Sequence, residues 1–406
     1  MDNLETNEVN MPVMSKKLLL LMSCAISATV GNLYYSQPIL PLMGAELGVD
    51  ADKLGVIPAA SQLGYAVALL LISPLGDNMP RKKLISILSC FLIIASLFAF
   101  VAANVFTLMI ACFIIGLSAN ITQQLIPFAA SLAHEDQKGR VIGTLMIGLT
   151  LGILLSRTLS GSIGVYYGWR AVFLISAIIA VIFGILLNRY LPYNQPTNPM
   201  PYQTLISSTL GLVKKHSLLR QSGISGALWF AAFNALCVTL ILYVNEPPYD
   251  YDSQQAGLFG VIGFAGIIGA KLAGIYVNKF GSRLMISMAL VIISLGFIIV
   301  CLFGGNLFTL IVGIALIDFG VFSAQVSNQV RVFSIDPAAQ SRINGIYMLF
   351  YFIGGALGSL FGVKIFAELG WTGVSIFSLI LIGLSLLVNN IPIKSSNVTL
   401  LKSNTN

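Results

Sequence analysis

The 406-residue chain is 57% hydrophobic and only 9% charged, with a mean hydropathy of +0.89. A water-soluble domain cannot hide so much apolar surface, so a soluble fold is excluded and a bilayer is the natural solvent. The formal net charge of +7 reads as orientation in a membrane, because the basic residues cluster between apolar stretches; a nucleic-acid partner is not expected.

A helix needs about 20 apolar residues to cross the hydrocarbon core. On that measure the chain is predicted to hold twelve spans in order: 17–43, 54–75, 84–103, 106–132, 141–165, 170–188, 221–244, 255–277, 284–303, 307–330, 342–366 and 372–392. The fold class is therefore all-α, a polytopic membrane protein with two six-helix bundles. The expected organisation is an N-terminal tail (1–16), an N-terminal bundle (17–188), a linker (189–220), a C-terminal bundle (221–392) and a C-terminal tail (393–406). The first span is long and lacks a small-residue cleavage site, so it is read as retained. If the N-terminus is cytoplasmic, most of the 22 Lys and Arg fall on the cytoplasmic side, including Lys16, Lys17, Arg81, Lys82, Lys83, Lys214, Lys215, Arg331 and Arg342. Apart from two basic residues deep within spans, only Lys53, Arg170 and Lys364 fall on the opposite side. The expected location is a bacterial inner membrane with both termini cytoplasmic. In the linker, Pro192, Pro196, Pro199 and Pro201 deny a continuous helix, leaving room for a short interfacial helix near 203–215. The five cysteines, Cys24, Cys90, Cys112, Cys237 and Cys301, fall inside spans without metal-ligand spacing and read as packing residues.

The halves repeat. Residues 104–169 reappear at 306–371, shifted by 202 positions. Asn104-Val105-Phe106-Thr107-Leu108 matches Asn306-Leu307-Phe308-Thr309-Leu310, and Gly168-Trp169 matches Gly370-Trp371. The register extends upstream, pairing Asn32 with Asn234 and Gly64 with Gly266. A duplicated apolar bundle with a site between its halves is the architecture of a secondary transporter.

After span two runs Pro74-Leu75-Gly76-Asp77-Asn78-Met79-Pro80-Arg81-Lys82-Lys83, and after span eight Asn278-Lys279-Phe280-Gly281-Ser282-Arg283. The first loop resembles the signature loop of the major facilitator superfamily, with Asp77 and Arg81 at the acid and basic positions and Pro80 where Gly is usual. The second keeps Gly281 and Arg283 but offers Asn278 in place of the acid. The resemblance implies a major facilitator fold, in which this loop latches a cytoplasmic gate, so Asp77, Arg81, Asn278 and Arg283 are gating candidates. It also implies that spans two, five, eight and eleven meet between the halves, where Gly257, Gly260, Gly263, Gly266, Gly269, Gly354, Gly358 and Gly362 would let helices slide. Further stretches, Asn32-Leu33-Tyr34-Tyr35-Ser36-Gln37-Pro38, Asp318-Phe319-Gly320 and Arg342-Ile343-Asn344-Gly345, are similar to the bacterial arabinose-efflux-permease-like or drug-efflux-like branch. The antiporter signature of span five is partial: Gly139, Gly148 and Gly152 keep its spacing, while Ile153 replaces the usual Pro.

Three charges fall deep in spans: Arg157, Lys271 and Asp318. Each costs about 2.5–3.5 kcal/mol on insertion scales unless paired or hydrated. Arg157 lies twelve residues before Trp169, and Asp318 twelve residues after Asn306. At 1.5 Å per residue both sit roughly 18 Å below the outer surface, at one depth in opposite halves. Either they form a static structural pair, or they face the central cavity and bind substrate or protons. Asp318 is the only carboxylate within any span, and with Arg157 it is the proton-coupling candidate. Lys271 lies seven residues from Asn278, close enough to snorkel to the cytoplasmic face. The candidate substrate contacts are Asn32, Tyr34, Tyr35 and Gln37 in span one, Asn120, Gln123 and Gln124 in span four, Arg157, Asn234, and Phe322, Gln325 and Gln329 in span ten. Amides on facing spans suit a polar solute and equally suit interhelical hydrogen bonding.

No enzyme signature is present. His134 and His216 form no metal pair, and no phosphate-binding loop ends in Lys-Ser/Thr. No cofactor is expected, and the chain is read as working as a monomer. The function expected is proton-coupled efflux of small organic molecules by alternating access. A solute importer and a non-transporting membrane sensor on the same fold remain open beside it.

Overall fold

The computed structural model of the chain describes residues 14–134, 137–195, 201–336 and 339–392. The expected tails lie almost wholly outside these residues, as do Pro196 and Pro199 of the linker. Among the described residues every regular element is helical. In chain order these are α1 (Lys16–Gly31), α2 (Leu40–Leu47), α3 (Val56–Leu71), α4 (Leu75–Asn78), α5 (Arg81–Phe100), α6 (Val105–Ser118), α7 (Ile121–Leu132), α8 (Lys138–Tyr167), α9 (Trp169–Tyr190), α10 (Tyr202–Lys215), α11 (Ser217–Val244), α12 (Ser253–Leu258), α13 (Phe264–Phe280), α14 (Ser282–Phe303), α15 (Leu307–Phe333) and α16 (Gln340–Asn390).

Among the described residues, ten stretches are long and apolar enough to cross a membrane. The first passage is not among them because it is broken. Pro38 has no N–H to give, and the chain from Asn32 to Leu40 runs through tight turns, with Tyr34 N bonding Gly31 O and Gln37 N bonding Tyr34 O. The last stretch counts once although it holds two passages, because α16 continues through Gly370, whose φ of 64° and ψ of −164° are not helical. Restoring the first passage and dividing the last at Gly370 brings ten to the expected twelve. Large apolar side chains that a soluble protein would bury stand on the outside, Phe91, Ile94, Ile185, Leu302, Phe308 and Leu387 among them. This is the pattern of a helical bundle solvated by lipid.

The repeat reappears as local geometry. Asn104 caps α6 and Asn306 caps α15 through the same side-chain oxygen, each accepting from the Thr N–H three residues on. Gly168 and Gly370, each before a Trp, both have positive φ, 81° and 64°, in a region open essentially to glycine alone. Asn32 and Asn234 each donate to the carbonyl four residues back, at 2.9 and 3.0 Å.

α10 fixes one end of the molecule. Its Tyr202 hydroxyl donates to Leu71 O at 2.6 Å, and its Ser208 hydroxyl accepts from Arg342 at 3.1 Å. One helix thus touches both halves at the end we call the linker end. At the far end the halves press together along α8 and α12. Thr158 Oγ1 donates to Gly257 O at 3.1 Å, and a Cβ on Gly161 would strike Ser253 O. Gly55 is similarly close to Ser359 O on α16. Toward the linker end this packing gives out. A Cβ on Gly139 or Gly143 of α8 would meet nothing within 4 Å, and one on Gly345 only Leu69 O at 3.9 Å. The glycine-lined surfaces are tight at one end and loose at the other.

Candidate functional site

The breaks that interrupt the helices converge on one cavity. α1 stops before Pro38, and span eight passes from α12 to α13 through a 3-10 segment, Phe259–Gly263. Beside these irregular segments lies a small cavity, enclosing about 20 Å³ and lined from the first half by Gln37, Pro38 and Arg157 and from the second by Phe233, Cys237, Phe259, Gly260 and Asp318, among others. Gly260 permits the approach, since a Cβ there would come within 3.1 Å of Arg157 Cβ and Leu154 O.

Arg157 and Asp318 thus face the same space, and they do not touch. Among the described residues Arg157 forms no ion pair; Nη2 donates to Cys237 Sγ at 3.3 Å. The guanidinium carbon sits 5.5 Å from the Tyr34 ring centre and 5.8 Å from that of Phe233, inside the cation–π range. Its Nε is buried with no partner. Asp318 is 3% exposed and makes no hydrogen bond or ion pair with a described residue. Gln37 is 1% exposed, and both of its amide atoms lack partners.

Around this cavity the other polar candidates divide. Gln123 donates to Tyr65 Oη at 2.8 Å, and Tyr65 packs on Phe352 with centroids 4.4 Å apart. Asn234 Oδ1 accepts from Gln62 at 3.4 Å, a bond between the halves. Gln325 accepts from the Tyr347 hydroxyl at 2.5 Å, and the Phe322 ring packs where a Cβ on Gly266 would fall. Gln329 is half-buried, as is Tyr35, whose hydroxyl lies near Gly31. Asn32 turns away, accepting from Ser176 Oγ of α9. Asn120 and Gln124 are occupied with Ser73, through its hydroxyl and its carbonyl respectively. Gln124 also lies where a Cβ on Gly76 would fall, so these two amides brace the base of the signature loop.

In that loop Arg81 pairs with Asp77 at 3.2 Å and also donates to Gly76 O. The second loop has no such pair among the described residues: Arg283 donates to Asn390 O, and Asn278 is exposed. Lys271 is exposed on α13 and does not line the cavity. Several residues were not singled out by sequence. Gln62, fully buried, carries the one signal that was available, a lone amide in an apolar span. Cys237, Tyr65 and the stacked Phe230–Tyr351 pair at 3.7 Å look like ordinary apolar packing in sequence. Arg331, counted as a loop charge, is 7% exposed at the end of α15 and donates to Asn328 and Asn389 at 3.1 and 2.7 Å. Among the described residues no His, Cys, Asp and Glu cluster could hold a metal ion.

The family model of the Major Facilitator Superfamily matches residues 20–358. A relative from Escherichia coli O157:H7, the uncharacterized transporter YgaY, is 33% identical over 361 residues, covering 89% of this chain and 92% of its own. The probable sugar efflux transporter of Helicobacter pylori is 22% identical, covering 85% and 88%. Among solved structures, a bacterial homologue of the human lysosomal transporter Spinster, in an inward-facing and unoccupied conformation, superposes with a TM-score of 0.75 at 13% identity, covering 93% of this chain and 96% of that one.

Proposed function

The chain belongs to the major facilitator superfamily of membrane transporters, and from that premise we propose that it is a proton-coupled exporter of small organic molecules working by alternating access. The observation that carries this reading is the placement of Arg157 and Asp318 in one buried cavity lined by both halves. A cavity between two bundles that rock against each other is where a carried solute is exposed to one side and then the other. Asp318 is the coupling group in this reading. As a buried carboxyl that faces a cation across a cavity, it can take a proton when the site opens to one side and release it to the other. The linker end is cytoplasmic, following the Lys and Arg distribution, and Asp77 with Arg81 latches that end. The described arrangement is the inward-facing one, tight at the far end and loose at the linker end. Export as the direction is supported by similarity to the Helicobacter relative's printed function and by the resemblance of Asn32–Pro38 and Asp318–Gly320 to efflux-type chains.

The test is purified protein in liposomes under an imposed pH gradient, screened for proton flux against a compound panel. Wild-type protein is expected to move protons when a substrate is offered, and Asp318→Asn to lose that flux by tenfold or more while still inserting. Undiminished uphill transport by Asp318→Asn would remove Asp318 from the coupling role. No flux with any compound would favour a non-transporting sensor.

A further inference from the structure

We infer that the cavity recognises a small zwitterion, with Arg157 holding its acid group and Asp318 its ammonium group. This rests on the transporter reading only in taking the cavity as the substrate site.

Two opposite charges line a single space, close enough to attract each other without pairing directly. Among the described residues, no ion pair includes either one. Among the described residues the Arg157 guanidinium's one hydrogen bond goes to a thiol, one of the weakest acceptors in proteins, and its Nε has no partner. A charge held like this in an apolar setting is costly unless something supplies the missing partner. Direct collapse of Arg157 onto Asp318 would supply it, yet the guanidinium lies instead against the Tyr34 and Phe233 rings. A ligand carrying both signs completes the site in one step.

The other charge classes fit less well. A simple anion would satisfy Arg157 and be repelled by Asp318. A simple cation would satisfy Asp318 and leave Arg157 bare. A sugar needs many donors and acceptors around its rim, whereas the lining offers one free amide, Gln37, among side chains such as Leu236, Leu240, Ile241 and Ile314. The enclosed space of about 20 Å³ holds about one water, so the lining parts to admit a solute. The charges and the apolar lining together call for an occupant with an acid and an amine at one end and an apolar body. An apolar amino acid has this form. Export then follows by competition, since a proton arriving at Asp318 displaces the ammonium group.

The experiment measures equilibrium binding to the purified full-length protein. The probes are leucine, methionine and phenylalanine, each beside its decarboxylated amine and its deaminated acid, with arabinose as the neutral polyol. At least one amino acid is expected to bind, with its amine and acid weaker by about tenfold or more, the scale of a lost charge-assisted contact. Arg157→Gln should bring the amino acid down to the affinity of its amine, and Asp318→Asn down to that of its acid. If neither variant folds, the ranking within each wild-type triplet decides alone. The inference is overturned if no amino acid binds at millimolar concentration, or if an amine or acid binds as tightly as its parent. Liposome flux separates this from the transporter reading. Gradient-driven movement of arabinose, with no amino acid binding, would overturn the zwitterion and leave transport standing. The expected binding pattern without flux of the bound amino acid would do the reverse.

Discussion

Arg157 on α8 reaches across the boundary between the halves and donates to the thiol of Cys237 on α11 at 3.3 Å. The bond ties the one cavity-facing cation of the first half to the second half through a weak acceptor. It holds the guanidinium in place without neutralising it. Cys237→Ser keeps an acceptor at that position and should melt close to wild type. Cys237→Ala removes it and should lose about 1 kcal/mol, the usual scale for one hydrogen bond. Melting temperatures in detergent compare the two, and a greater loss for Ser than for Ala would contradict this role.

Arg157 and Asp318 should sense each other through the cavity. Neutralising one leaves the other as a lone buried charge, whereas Arg157→Gln with Asp318→Asn removes both. Because the groups are not in contact, the coupling is expected at about 1 kcal/mol, toward the low end for neighbouring residues. The four-variant melting cycle reads it directly. Strictly additive losses would mean that the two charges act alone. Proton flux should be lost in the double variant whatever its stability.

Gly161 faces Ser253 so closely that any Cβ would collide with its carbonyl oxygen. Gly161→Val should therefore act as a wedge at the far end. It should shift the population toward a state open at that end and slow turnover several-fold. Cross-linking of cysteine pairs placed across α8 and α12 measures the shift. Cross-linking as efficient as in the parent would show that α8 and α12 part without resistance.

Asp77 bonds Arg81 within its own loop at 3.2 Å, with the Asp77 side chain 57% exposed. A pair this open to solvent contributes under about 1 kcal/mol to stability, so Asp77→Asn should leave the melting temperature nearly unchanged. Its effect belongs to gating: slower turnover, with ligand affinity at equilibrium altered little. A loss confined to affinity, with normal turnover at saturation, would place Asp77 elsewhere in the cycle.

Depth was legible in the sequence; direction around each helix was not. The passages follow from apolar run length, and the paired Asn104/Asn306 caps and Gly168/Gly370 turns follow from the repeat. Arg157 and Asp318 stood out because charge is rare in an apolar span. The amides show the gap: Asn32, Asn120 and Gln124 lie in spans one and four as Gln37 and Gln123 do, yet they bond to Ser176 and Ser73 while Gln37 meets the cavity. The repeat could not help with the charges. By its shift of 202 the counterpart of Asp318 is Gly116, where a Cβ would run into Ser61 O. The two copies thus share caps and turns, while one carries a charge at a position where the other has no room for a side chain. Cys237 was invisible because a thiol that accepts from arginine and a thiol that fills space are the same letter.

α10 straps the two halves together at one end. Tyr202 anchors it to Leu71 and Ser208 anchors Arg342 to it, and these anchor points are six residues apart, about 9 Å along a helix. A rigid strut of that length spans the gap between the two bundles at one end only. Spreading beyond the reach of those two bonds means breaking them, at about 1 kcal/mol each, while the opposite end carries no such strap among the described residues. In the alternating-access reading the swing is thereby unequal: damped on the strapped side, and on the other limited by the glycine faces of α8 and α12.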